Sequence, residues 1–138
     1  MGEVIQGQVV VAGEGQGELL VSSEPLSFWG GYDHQTGEII DRRHPLSGQI
    51  ASSRVLAIPH TVGSSTTTAV LLEAIRAGTA PAAILVTGTD SFLALASIVA
   101  DEMYRRPIAI ISLTDNQFAL LRTGVNARVR TDGTVALE

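Results

Sequence analysis

The chain of 138 residues contains no cysteine and no lysine, and only 4% of its residues are aromatic. Without cysteine it can form no disulfide and supply no thiolate, so an iron–sulfur cluster or a structural zinc would have to be ligated by another chain. Without lysine it can form no Schiff base, and it lacks the cation of phosphate-binding loops. These absences argue against a nucleotide hydrolase.

The charge pattern offers no binding surface for a polyanion. The net charge is −5, and all nine basic residues are arginines, dispersed except for two adjacent pairs. This pattern argues against binding of nucleic acid or anionic lipid. The three histidines show no metal-ligand spacing, so no metal site is predicted on this chain. There is no apolar run long enough to span a membrane and no secretory leader, and we expect one domain, 1–138, soluble and cytoplasmic.

Residues 54–112 alternate between strand and helix patterns. Strands are predicted at 54–59, 82–86 and 108–112, with helices at 66–78 and 91–104 between them. The strand runs are continuously apolar, which is typical of parallel strands buried on both faces. The first helix should bury Leu71, Leu72 and Ile75. The second is apolar almost all round, so we expect it to be the more buried of the two.

The two ends of the chain look β-like. Residues 3–22 predict two strands around a glycine-rich turn at 13–17, and residues 125–138 predict a hairpin that turns at 132–133. A third helix is expected at 115–124. Residues 22–53 have little periodicity, which indicates either a functional loop or a region packed against something else. The sequence therefore predicts an α/β domain with a parallel core and terminal β strands.

One strand-to-helix connection carries one glycine and five consecutive hydroxyl side chains, at 63–68. The unpaired amides at a helix start bind anions, and Gly63 would let a ligand approach the backbone. Ser64 is not part of a G-x-S-x-G motif, so we expect it to handle a proton rather than attack as a nucleophile. The alternative is that one hydroxyl caps the helix and the others are simply tolerated there.

Two segments resemble the small subunit, or swivel domain, of the aconitase X family. They are residues 23–49, with the motifs F-W-G-G, D-x-x-T-G-x-I-I-D and H-P-L, and residues 63–84, with G-S-S-T. The resemblance implies a swivelling β/β/α domain that pairs with a large subunit carrying an iron–sulfur cluster. It also implies a dehydratase, because members of this family remove water from cis-3-hydroxy-L-proline or from mevalonate 5-phosphate.

The same resemblance assigns roles to the loop. Ser64 would be the catalytic base, Ser65 would contact a substrate carboxylate, and Gly63 and Thr66 would complete the substrate site. Aconitase itself has an arginine where this chain has Thr66, so a tricarboxylic acid is not expected as the substrate. The implied reaction removes a proton next to a carboxylate, with loss of hydroxide assisted by the partner's cluster. We expect cis-3-hydroxy-L-proline, because a composition rich in arginine and free of lysine looks bacterial, with mevalonate 5-phosphate as the alternative.

Four further residues are candidates for the rim of the site or for the interface with the large subunit, namely Trp29, Asp41, His44 and His60. For the first three the alternative is an ordinary surface loop with solvated charges. His60 ends a strand and could approach substrate, or it could be a partly buried histidine that satisfies local hydrogen bonds.

Two functions of other classes remain open from the residues alone. Swivelling β/β/α domains also serve as phosphohistidine carriers, but there the reactive histidine follows the glycine-rich turn, and no histidine follows Gly63 in the predicted helix. A non-catalytic binding module is the other possibility.

Overall fold

The computed structural model describes residues 2–63 and 65–138, which form eight strands and three helices. In chain order the elements are β1 (Glu3–Gln6), β2 (Gln8–Val11), β3 (Gly15–Val21), β4 (Val55–Ala57), α1 (Ser65–Ala77), β5 (Ala83–Thr87), α2 (Ser91–Tyr104), β6 (Ala109–Leu113), α3 (Asp115–Phe118), β7 (Asn126–Val129) and β8 (Thr134–Leu137).

The strands follow one another in the order β1-β8-β7-β3-β4-β5-β6-β2. The central strands β3, β4, β5 and β6 run parallel, and β2 pairs antiparallel with β6 at one end. On the other side β7, β8 and β1 add antiparallel strands. The predicted fold class, an α/β domain with a parallel core and terminal β strands, is confirmed.

The two ends of this strand order are joined by a single residue, Gly7, which lies between β1 and β2. The sheet must therefore curl until its end strands come close together. The amide of Gly7 donates to the carbonyl of Gly133 at 3.0 Å, which closes the curl onto the β7–β8 turn. A Cβ at Gly7 would lie 2.3 Å from Cγ2 of Ile111, so only glycine fits at this crossing.

Side chains of the parallel strands alternate between two apolar clusters. In β5, Ala83 and Leu85 point into the cluster enclosed by the curled sheet, while Ile84 and Val86 point into the cluster beneath α1 and α2. The same alternation runs through β4 and β6. Both faces are thus buried, which explains the continuous apolar runs in the sequence.

The first helix ends just before the predicted glycine, and two of its three predicted core residues are buried. Leu71 and Ile75 are buried and Leu72 is half-buried. α1 ends at Ala77, and Gly78 follows with φ +80°, the left-handed conformation that glycine adopts most readily after a helix.

The prediction that α2 is the more buried helix is wrong. It buries Leu93, Ala96, Ser97 and Ala100, but it exposes the large side chains Leu95, Ile98 and Met103. Its first turn is fixed instead by Asp90, whose side chain caps the helix by accepting from the amide of Leu93. The apolar composition of this helix does not show which of its side chains the core covers and which stay exposed.

Two predictions at the chain ends also need correction. Residues 3–22 form three strands rather than two, because Gly7 divides the first run into β1 and β2, and β3 already begins at Gly15 inside the expected turn. The third helix was expected to reach residue 124, but α3 ends at Phe118 and is followed by turns. The C-terminal hairpin is found as predicted, as β7 and β8.

The aperiodic segment 22–53 packs onto the main core. Leu26, Phe28 and Ile39 are fully buried in the cluster under α1 and α2, and the rings of Phe28 and Tyr32 stack with centroids 4.9 Å apart. The Tyr32 hydroxyl donates to the carbonyl of Thr79 at 2.7 Å, and burial raises the pKa of this phenol. Of the two alternatives, packing against another part of the structure is therefore found for the buried residues of the segment.

Within the described residues, none of the helices has the length and apolar character needed to cross a membrane.

We expect Ser97→Ala to lower the free energy of unfolding by about 1–3 kcal/mol. The fully buried Ser97 hydroxyl donates to the carbonyl of Ile108 at 2.7 Å and accepts from its amide at 2.9 Å, so it ties α2 to the start of β6. Alanine would leave both backbone groups buried without a partner. Urea unfolding checks this, with Ser91→Ala on the exposed start of the same helix as the control. Equal stability of the two variants would contradict it.

Candidate functional site

A cleft of about 330 Å³ opens where β4 and β5 end and their chains turn toward α1 and α2. Ligands of open α/β sheets gather at this carboxyl edge of the strands. Two connections line the cleft, the one after β4 and the one after β5. Their residues in the lining are His60, Thr61, Gly63, Thr89, Asp90, Ser91 and Phe92.

A buried carboxylate joins the two connections. Asp90 Oδ2 accepts hydrogen bonds from the Thr61 amide at 2.8 Å and from the Thr61 hydroxyl at 2.6 Å. Its Oδ1 accepts from the Leu93 amide at 3.2 Å, as the cap of α2. Asp90 therefore uses one oxygen to start α2 and the other to hold the chain leading to Gly63.

The same connection is held from the side by the segment 22–53. The amide of Leu26 donates to the carbonyl of His60 at 3.4 Å, and the amide of Val62 donates to the carbonyl of Leu26 at 3.0 Å. The amide of Thr87 donates to the carbonyl of Pro59 at 3.0 Å. Residues 59–62 are thus fixed by hydrogen bonds from two neighbouring parts of the chain.

The start of α1 carries the hydroxyl run. Gly63 is exposed with φ +126°, and Ser65 is the exposed first residue of the helix. Thr66 is half-buried and Thr67 is buried; a Cβ built on Gly63 would lie 3.8 Å and 3.6 Å from their respective hydroxyl oxygens. Ser64, the residue expected to be the base, lies outside the described residues.

Of the other candidates, one lies in the cleft. His60 is exposed and lines it, so the alternative of a partly buried histidine is wrong. Trp29 is 70% exposed and is absent from the lining of the described cleft.

His44 and Asp41 have local partners inside the segment 22–53. His44 is buried; its Nδ1 accepts from the Leu46 amide at 3.1 Å, and its Nε2 lies 3.3 Å from the carbonyl of Glu24. With Nδ1 accepting, the proton belongs on Nε2, which then donates to that carbonyl. The carboxylate of Asp41 accepts from the Arg43 amide at 3.0 Å. The structure brings neither side chain to the described cleft.

Sequence reasoning missed the second half of the cleft, which is formed by Thr89, Asp90, Ser91 and Phe92. A signal was present: the letters T-G-T-D-S at 87–91 follow a buried strand and precede a helix, as G-S-S-T does at 63–66. Parallel neighbouring strands bring such connections to the same edge.

The described residues contain no group of three histidine, cysteine or acidic side chains able to hold a metal ion. The start of α1 has the general properties of an anion-binding helix terminus. The first amides of α1 have no partner within the helix, and the helix dipole adds positive potential at its start. An anion is therefore favoured at the start of α1, whereas the cleft beside it already contains the carboxyl group of Asp90.

Comparisons with known proteins agree on one family. The model of the aconitase X swivel domain matches residues 4–137. The chain is 51% identical to cis-3-hydroxy-L-proline dehydratase of Pseudomonas aeruginosa over 77% of this chain and 18% of the relative's. It therefore spans less than a fifth of the length of that dehydratase.

A second relative is closer in size. The chain is 42% identical to the phosphomevalonate dehydratase small subunit of Methanothermobacter thermautotrophicus over 67% of this chain and 71% of the relative's. Among solved structures, the holo-form of Thermococcus kodakaraensis aconitase X superposes with a TM-score of 0.87 at 31% identity. That match covers 99% of this chain and 98% of the solved chain.

We expect Thr67→Val to leave the free energy of unfolding unchanged or to raise it by up to about 1 kcal/mol. The Thr67 hydroxyl is buried and has no hydrogen-bond partner within 2–63 and 65–138, and valine keeps its shape. Thermal unfolding checks this, with the half-buried Thr66→Val as the matched control. A loss above about 1 kcal/mol would contradict it and would mean that the hydroxyl has a partner after all.

Proposed function

Because the chain belongs to the aconitase X swivel-domain family, we propose that it supplies the serine loop of a dehydratase completed by a large partner subunit. The observation that carries the proposal is the place of the described part of the G-S-S-T motif, Gly63, Ser65 and Thr66. It leads into α1 at the carboxyl edge of the sheet, beside the cleft that Asp90 and Thr61 organise.

Each residue of the loop has a distinct proposed role. Ser64 removes the proton from the carbon next to the substrate carboxylate, and hydroxide leaves from the neighbouring carbon, so that one water is lost overall. The amides at the start of α1 lower the cost of a serine oxyanion at this position. Ser65 and Thr66 contact the carboxylate, and Gly63 lets it approach the backbone.

The iron–sulfur cluster of this reaction type does not fit the present chain. The sequence has no cysteine, and no set of three suitable ligands occurs in the described residues. We therefore place the cluster on the large subunit and assign it no contact with a residue of this chain. The domain is expected to be inactive alone.

The substrate we propose is cis-3-hydroxy-L-proline, a small hydroxy-carboxylate. The dehydratase for this compound is the relative with 51% identity. Mevalonate 5-phosphate is the second candidate, because the small subunit of its dehydratase matches this chain in length as well as in sequence. An anaerobic assay of the purified complex on both compounds decides between them.

We expect Ser64→Ala to lower kcat by about 10²–10⁴-fold while the complex stays assembled, because the proton would have no acceptor. Ser65→Ala is expected to act mainly on KM, since its contact is to a carboxylate that is present before and after proton removal. Steady-state kinetics of the anaerobic complex measures both.

Ser47→Ala, in the segment 22–53, is the control for loss of a serine hydroxyl elsewhere and should retain wild-type kinetics. Substantial turnover by Ser64→Ala would refute the assignment of the base. Equal losses in all three variants would point to damaged folding rather than to chemistry.

A further inference from the structure

The outer side of α2 is an apolar surface. Phe92, Leu95, Ile98 and Met103 are exposed, and Val99 is half-buried between them. At about 100° of rotation per residue, these five side chains fall within one arc of the helix, which they share with the exposed residues Ser91 and Glu102. We call this set of residues the α2 face.

The α2 face is additional to the side that packs on the core. Leu93, Ala96 and Ala100 are completely buried on the opposite side of the helix. The neighbouring helix α1 is built differently, because its outer side carries Glu73 and Arg76, which form an ion pair. A helix that is apolar on both sides is typical of one that is covered on both sides.

The α2 face begins at the cleft. Phe92 belongs both to the face and to the lining of the cleft. Its backbone position is fixed, since its carbonyl accepts from the Thr68 hydroxyl on α1 at 2.8 Å. Val62, next to Gly63, is 51% exposed and adds an apolar side chain on the other connection of the cleft. A protein that covers the cleft would therefore meet the α2 face with the same surface.

We propose that the α2 face is the docking surface for the large subunit, an inference that rests on the proposed function. The relative with 51% identity carries more than four fifths of its chain outside the matched region, so the swivel domain has a large partner body there. In this chain that body must come from another polypeptide or from sequence beyond these residues. It has to reach the cleft, because the cluster cannot be held by the present chain.

The matching surface of the partner should have two features. It should be apolar opposite Leu95 and Ile98, near the middle of the face. It should carry a rim with charges of both signs, because Asp101 and Glu102 are exposed near the C-terminal end of α2 and Arg105 and Arg106 are exposed just after it.

The test compares two leucines of nearly equal exposure. Leu95 is 49% exposed on the α2 face, and Leu120 is 47% exposed beyond α3. Tagged small subunit carrying Leu95→Asp, Ile98→Asp or the control Leu120→Asp is mixed with purified large subunit, and the dissociation constant is measured. We expect the two α2 variants to bind at least about 30-fold more weakly than wild type, as for a buried interface residue, and the control to bind as wild type does.

Folding is checked on each variant alone, by its thermal midpoint. A charge on a solvent-exposed position should leave that midpoint unchanged, and Leu95→Ser serves as a milder substitution if aspartate lowers it. Wild-type affinity in both α2 variants would overturn the inference, and so would an equal loss in Leu120→Asp. A homodimer of the wild-type chain that Leu95→Asp dissociates would also overturn it, by showing a second copy on the face.

The proposed function fails in a different way. A complex that assembles through the α2 face but dehydrates neither compound would refute the reaction and support the docking surface. A wild-type chain that does not bind the large subunit at all would overturn both.

Discussion

The hydrogen bonds from Thr61 to the carboxylate of Asp90 are the contact on which the site depends. They join the connection after β4 to the connection after β5, at 2.8 Å for the amide and 2.6 Å for the hydroxyl. The side chain of Asp90 is buried, so loss of these hydrogen bonds would leave polar groups without partners away from water. The contact fixes the direction in which the chain enters Gly63 and the start of α1.

The contact between Thr61 and Asp90 is possible because of the sheet beneath it. β4 and β5 are parallel neighbours whose side chains are buried on both faces, so neither strand can shift without exposing apolar surface or creating a void. Their carboxyl ends therefore emerge side by side, and the two connections meet. The antiparallel strands of the curled sheet complete the apolar cluster that the sheet encloses. They leave the carboxyl ends of β4 and β5 uncovered.

Much of this could be predicted from the sequence. The continuous apolar runs at 54–59, 82–86 and 108–112 indicated buried parallel strands, and Gly78 marked the end of α1. The hydroxyl side chains at 65–68 lie at the start of a helix as predicted, and the family was identified from four motifs and is confirmed by the match over residues 4–137. These features depend on local pattern, which a single sequence carries.

What could not be predicted depends on long-range pairing. The burial of α2 was overestimated, because composition does not distinguish a side chain covered by its own core, such as Leu93, from an exposed one such as Leu95. The bonds of His44 to Glu24 and Leu46 depend on how residues 22–53 fold back on themselves. Asp90 was missed because its partner, Thr61, lies 29 residues away.

We propose that the functional site of the domain is the edge formed by the carboxyl ends of β4 and β5. Hydrogen–deuterium exchange of the chain, alone and bound to the large subunit proposed as its partner, is the measurement that tests this. We predict new protection on binding in residues 60–68 and 88–99, with little change in β1, β7 and β8. Protection confined to those terminal strands and to α3, with residues 60–68 and 88–99 unchanged, would contradict it.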